Sequence, residues 1–206
     1  MGKVVKGDFT RKQTQRDDKG PESGPIPIYQ LRLAVTFSDP LIWRVVRVSG
    51  DTRLDRFHRI IQACMGWKDN ESHQFLVGKI FYQQGFGIDG MEKKVEFDEA
   101  RYRLDELEEG MGFLFTYLYD GGGGWELQIA LEEVDRSGAK LEHPLLIDGE
   151  GGAPPEDIGD IHRYQALVDE CEREMEPGER VSLPGYPGFD PDVFDLDGVN
   201  EILKNI

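Results

Sequence analysis

From Tyr29 to Phe37 every second position is apolar: Tyr29, Leu31, Leu33, Val35 and Phe37, with Gln30, Arg32 and Thr36 between them. A period of two is that of a strand buried on one face. Ser38-Asp39-Pro40 breaks the run, and Ile42 to Val48 forms a second run of β-branched and aromatic residues closed by Ser49-Gly50-Asp51. The period then lengthens. Leu54, Phe57, His58, Ile61, Cys64 and Met65 recur at helical spacing, Thr52 and Asp55 predict a capping box, and Gly66 predicts a left-handed stop. Ser72 to Tyr82 reads as a third strand with Phe75, Val77 and Phe81 on one parity and His73 on the same face.

The later chain carries weaker and stronger signals in turn. Gln83 to Lys94 is Gly-rich and reads as loop, Val95 to Arg103 has weak strand character, and Leu104 to Leu107 predicts one helical turn. Phe113, Phe115, Tyr117 and Tyr119 alternate into Asp120 and four glycines, and Trp125, Leu127, Ile129 and Leu131 alternate out. So short a glycine link between two amphipathic strands predicts an antiparallel hairpin. His143 to Arg163 is Gly and Pro rich. Tyr164, Leu167, Val168, Cys171 and Met175 mark another helix, ended by Pro177-Gly178, and Val199, Ile202, Leu203 and Ile206 mark a short last one capped by Asp197.

These elements predict an α+β fold: a single domain over residues 26–206, with a mostly antiparallel or mixed sheet covered by helices on one face. An irregular Gly/Pro-rich C-terminal region completes it. Residues 1–25 lack a periodic apolar pattern and are expected to form a flexible arm. With 206 residues, 38% of them hydrophobic, one sizeable core is the expectation.

Charge narrows the partners. A formal −16 disfavours general binding to nucleic acid or anionic membrane. Yet Tyr29 to Lys68 carries seven basic residues against three acidic ones, so that this stretch is +4 and the remainder −20. Only Cys64 and Cys171 are present, without a Cys-x-x-Cys pair, so neither a disulfide framework nor a Cys-rich zinc site is indicated. A cytoplasmic location without a membrane span is expected.

Several separated motifs carry a family resemblance: Pro40-Leu41-Ile42-Trp43-Arg44, Leu54 to His58 continuing Ile61 to Trp67, His73-Gln74-Phe75, Tyr117-Leu118-Tyr119-Asp120 with Trp125-Glu126, and Gly152 to Gly159. In this order and spacing the chain resembles the plasmid pRiA ORF-three-like family, some of whose members travel with mobile elements. The resemblance implies an α+β domain with a mostly antiparallel sheet and no particular reaction. It also shows departures. Relatives place Phe-Gly-Asp after Tyr-x-Tyr-Asp, a His two residues beyond the Trp and a Cys before Pro-Pro, where this chain has Gly121-Gly122-Gly123, Leu127 and Ala153.

Candidate chemistry is fragmentary. Gly85-Phe86-Gly87-Ile88-Asp89-Gly90 matches the dinucleotide fingerprint literally, but no helix of adequate length follows, so a surface loop is the better reading and no cofactor is assigned. His58 and His73 are acid–base or metal candidates, with Asp120, Glu126, Glu150 or Glu156 as carboxylate partners. No short-range ligand pair accompanies them, so no metal is assigned. His58 also lies on an apolar stripe, the place of a hydrogen-bonded structural histidine. Arg53, Arg56 and Arg59 recur every three residues, with Arg44 and Trp43 upstream, and together suggest a surface for a protein or nucleic-acid partner. The intramolecular alternative is a set of solvated ion pairs. The leading functional expectation is therefore a non-enzymatic binding or accessory module, which the family resemblance associates with mobile DNA. The alternative is a hydrolase or metal-dependent enzyme using His73, Asp120, Glu126, Glu150 or Glu156 between the hairpin turn and the Pro-Pro loop.

Overall fold

The computed structural model describes residues 24–84, 95–111, 114–120, 124–174 and 183–206. The N-terminal arm up to residue 23, the Gly85–Gly90 fingerprint and the glycines Gly121 to Gly123 lie outside them, as do Phe113, Met175 and Pro177-Gly178.

Among the described residues, eight strands form one sheet: β1 (Ile28–Val35), β2 (Trp43–Ser49), β3 (His73–Val77), β4 (Ile80–Gln83), β5 (Val95–Asp98), β6 (Leu114–Tyr119), β7 (Trp125–Asp135) and β8 (Leu145–Glu150). Their order is β5-β4-β3-β6-β7-β1-β2-β8, antiparallel throughout except for the β4–β5 pair. Four α-helices of the described residues accompany them, α1 (Leu54–Met65), α2 (Leu104–Met111), α3 (Ile161–Glu174) and α4 (Leu196–Leu203), so the fold is α+β with a mixed sheet. None of the described helices is long and apolar enough to cross a membrane.

The alternation of β1 translates directly into layers. Tyr29, Leu31, Leu33 and Val35 are buried together with Phe115, Tyr117, Leu127 and Ile129 of the hairpin, under Leu54, Phe57, Ile60 and Ile61 of α1. Each such side chain withdrawn from water contributes about 1.5–3 kcal/mol, which makes this shared layer the main stabilising term. The other parity carries Gln30, Arg32 and Arg47, and Arg32 pairs with Glu132 at 2.9 Å.

The structure departs from the sequence reading at several boundaries. Phe37 is not part of the buried row: its backbone turns left-handed at φ 64° and its ring is exposed. Ser72 to Tyr82 is two strands rather than one, because Gly78 takes φ 62° and reverses the chain. The reversal pairs Phe75 with Tyr82, so Tyr82 rather than Phe81 is buried. Leu145–Glu150, inside the expected loop, is an edge strand against β2. Asp195, not Asp197, caps α4 by accepting from Gly198 N.

Thr52 and Asp55 do not form a capping box either. Arg53 is the N-cap, bridged to Arg103, and the two helix starts serve each other: Leu54 N donates to Tyr102 O and Leu104 N to Thr52 O, both at 3.0 Å. Backbone carbonyls thus satisfy the orphan N–H groups that a side-chain cap would otherwise take. Gly66 does take φ 66° and ends α1 as expected.

Candidate functional site

Helix α1 and strand β3 bring two imidazoles into direct contact. His58 and His73 stack with centroids 3.5 Å apart and planes 4° from parallel. Both side chains are almost wholly buried, and each meets a carboxylate: His58 Nε2 lies 2.9 Å from Asp69 Oδ1, and His73 Nε2 lies 2.8 Å from Glu99 Oε2. Glu99 is itself 4% exposed, whereas Asp69 is 56% exposed and forms the open side of the cluster.

The placement of each group has a local cause. His58 and Gln62 are four residues apart and so share one face of α1. Gln62 Nε2 donates to the Tyr117 hydroxyl at 2.9 Å, which leaves the phenolic hydrogen for His58 Nδ1 at 2.8 Å. His58 Nε2 then donates to Asp69, whose own N–H returns to Gln62 Oε1 at 3.0 Å. The circuit closes with every member partnered. Asp69 holds a left-handed backbone, φ 59°, a conformation that Asp tolerates better than most residues. Glu99 opens the short 3-10 turn Glu99–Arg101 after β5, behind the cap that Asp98 makes to Ala100 N.

Burial lowers the His58 pKa, and the facing His73 lowers it further, against the opposing pull of Asp69. Imidazoles 3.5 Å apart resist charging together, so a neutral His58 is the stable form. Burial also pushes the Tyr117 phenol far above its ordinary value. The cluster floors a cleft of about 630 Å³ that also meets Asp55, Arg59 and Glu71. Its carboxylates Asp55, Asp69, Glu71 and Glu99 against Arg59 give a formal charge of −3 without the histidines. Side chains of His58, Asp69 and His73 each offer one donor atom, and these three atoms lie within 4.8 Å of one another.

The carboxylates expected beside His73 are elsewhere. Glu126 accepts from Thr36 at 3.4 Å, Glu150 accepts from Trp43 Nε1 at 3.2 Å, and the Asp120 backbone donates to Ser72 O. Glu156 has a positioning role. It accepts from Lys68 N at 2.9 Å, from Asn70 N at 3.0 Å and from the Tyr119 hydroxyl, and so clamps the segment that presents Asp69. Burial works to raise the Glu156 pKa, but the hydrogen bonds from Tyr119, Asn70 and Lys68 hold it below the ordinary carboxylate value.

The arginines are not one exposed set: Arg53 and Arg59 are exposed and Arg56 is half-buried along α1, whereas Arg44 lies inside. Arg44 is 1% exposed and gives its guanidinium to the carbonyls of Trp43, Cys64, Glu150 and Gly151, with Phe194 stacked 3.7 Å away. Burial draws its pKa down to about 10, still far above neutrality. Trp43 lies on the opposite sheet face under Arg32 at 3.9 Å. Arg53 is held by Asp55 at 2.9 Å, and Arg56 Nε donates to Ile206 O at 3.1 Å. Arg59 alone of the set lines the histidine cleft. Cys64 is a buried thiol pushed up to about 12 by burial, which makes it a poor nucleophile.

Sequence reasoning singled out the two histidines but not Asp69 or Glu99. Asp69 carried a usable signal, since it follows the helix stop at Gly66 and precedes His73 by four residues. Glu99 carried none, lying at the end of a weak strand with no periodicity to place its side chain.

Comparison with known proteins agrees with this architecture. A crystallised protein of unknown function from Methanosarcina mazei Go1 superposes with a TM-score of 0.67 at 24% identity, covering 86% of this chain and 98% of its own. That likeness is one of fold. The uncharacterized protein y4hQ of Sinorhizobium fredii is 32% identical over 186 residues, 87% of this chain and 92% of the relative. Residues 27–198 match the family described as plasmid pRiA4b ORF-3-like protein. The chain belongs to the plasmid pRiA4b ORF-3-like family.

Proposed function

We propose that the protein is a non-enzymatic binding module whose ligand is a cation taken up in the cleft floored by His58 and His73. The observation that carries this reading is the formal −3 of the cleft's charged lining, four carboxylates against one guanidinium beside two imidazoles, with Asp55 alone of the four paired to Arg53. A low-dielectric floor strengthens that field toward an entering positive charge. A nucleic-acid role draws little support from the same geometry, because Arg44 is buried and Arg53 and Arg56 are already engaged. The family name ties this kind of chain to a plasmid reading frame, which fits an accessory module carried with mobile DNA. The buried thiol of Cys64 fits a reducing, cytoplasmic setting.

Thermal melting of the purified chain with magnesium, zinc, spermidine and a DNA duplex tests the reading. At least one cation is expected to raise Tm, the rise is expected to vanish in Asp69→Asn, and the duplex is expected to have no effect. Duplex binding that Arg56→Glu with Arg59→Glu abolishes, without any cation response, would overturn it.

A further inference from the structure

We propose that His58, Asp69 and His73 form a site for one divalent first-row transition ion, with zinc as the reference case. The inference rests on the cation reading above and narrows it to a chemical class.

The donor set selects that class. Magnesium and calcium want oxygen ligands in number, whereas two imidazoles with one carboxylate suit zinc, nickel, copper or iron. The spacing of the donor atoms, though not yet the orientation of the stacked rings, is near what such an ion needs. Donors held about 2 Å from a tetrahedral centre stand roughly 3.3 Å apart. His58 Nε2 and Asp69 Oδ1 are already 2.9 Å apart, and all three donor atoms fall within 4.8 Å. Seating an ion therefore replaces the His58–Asp69 hydrogen bond and turns the two rings out of their stack, because planes 4° from parallel and 3.5 Å apart do not share a point where both lone pairs meet one ion.

The surroundings are those of an oriented ligand set. His58 is fixed through Nδ1 by Tyr117, which leaves Nε2 as the nitrogen facing Asp69. A phenol both donates and accepts, so Tyr117 can donate to a bare Nδ1 or accept from a protonated one. Glu99 stands 2.8 Å from the His73 ring and supplies the carboxylate that commonly orients a metal-bound imidazole. Asp69 is placed by backbone, through its left-handed φ and its N–H bond to Gln62, and the Glu156 clamp holds the residues on either side. Two of the three donors are buried and the third opens on the cleft, so an ion enters from solvent and keeps one position for an outside ligand.

The test uses the untagged full chain, stripped with a chelator and titrated with zinc and cobalt(II). One equivalent of zinc should bind by calorimetry, and cobalt should give the intense visible bands of a site with low coordination number. Asp69→Asn and His73→Gln should each weaken zinc by more than tenfold, and Glu99→Gln by about 10–100-fold, as for other second-sphere carboxylates. His162→Gln, remote from the cleft, should leave affinity unchanged. Should the histidine variants fail to fold, Asp69→Asn decides, because that side chain is more than half exposed and its loss still changes the cobalt spectrum. No zinc or cobalt binding by the wild-type chain, or binding equal in Asp69→Asn, would overturn the assignment. Uptake of spermidine without either metal would overturn the metal assignment and leave the cation reading standing.

Discussion

Arg44 shows how a basic residue in a charged stretch can serve the interior. Four backbone carbonyls surround its guanidinium, and Gly149 makes room for it: a Cβ there would sit 2.6 Å from Phe194 and 2.9 Å from the Arg44 side chain. Removing the fork leaves several buried acceptors unpaired, each costing about 1–3 kcal/mol. Arg44→Met should therefore lower the urea midpoint substantially, and Arg44→Lys should recover little of it, because an ammonium cannot reproduce the planar fork. An unchanged midpoint in Arg44→Met would contradict this role. Glu108 gives a second residue-scale expectation. Hydrogen bonding from Arg136 holds its carboxyl below the ordinary value, with Tyr29 adding to the effect at 2.9 Å. A depressed folded pKa adds stability that is full above the unfolded value, near about 4.3, and lost as pH falls through the folded one. Chemical denaturation from pH 7 to pH 3 should show an acid limb that is shallower in Glu108→Gln, and an identical limb would exclude Glu108 as a contributor.

At the scale of elements, the helix stop at Gly66 matters beyond α1. Its left-handed φ turns the chain into the segment that carries Asp69, with Trp67 N closing on Gln62 O at 3.0 Å. Gly66→Ala should cost about 1 kcal/mol, read as a lower urea midpoint, even though the added methyl meets nothing within 4 Å. Alternation made β1, β6 and β7 legible in the sequence because each is buried on one face. The β8 strand was hidden by Asp148 and Gly149, which an edge position tolerates and a composition reading takes for loop. The His58–His73 pairing was legible from their helix and strand faces. Their carboxylates were not, since Asp69 is placed by a left-handed backbone and Glu99 by a 3-10 turn, neither of which leaves a periodic trace.

For the whole molecule, net charge and local chemistry point the same way. A −16 chain with a local −3 in its cleft repels phosphates and attracts cations, and Arg44 and Arg56 are drawn into internal bonds. The sheet, α1 and the Glu156 clamp hold two histidines and two carboxylates in one concave site, so ligand binding should stabilise the fold as a unit by mass action. Zinc at a saturating excess should raise Tm of the wild-type chain and leave that of His58→Gln with His73→Gln unmoved. X-ray absorption at the zinc edge of the stoichiometrically loaded chain reads the donors themselves. A first shell containing two imidazoles and oxygen is the predicted result, and a shell of oxygens alone, without imidazole scattering, would contradict the account.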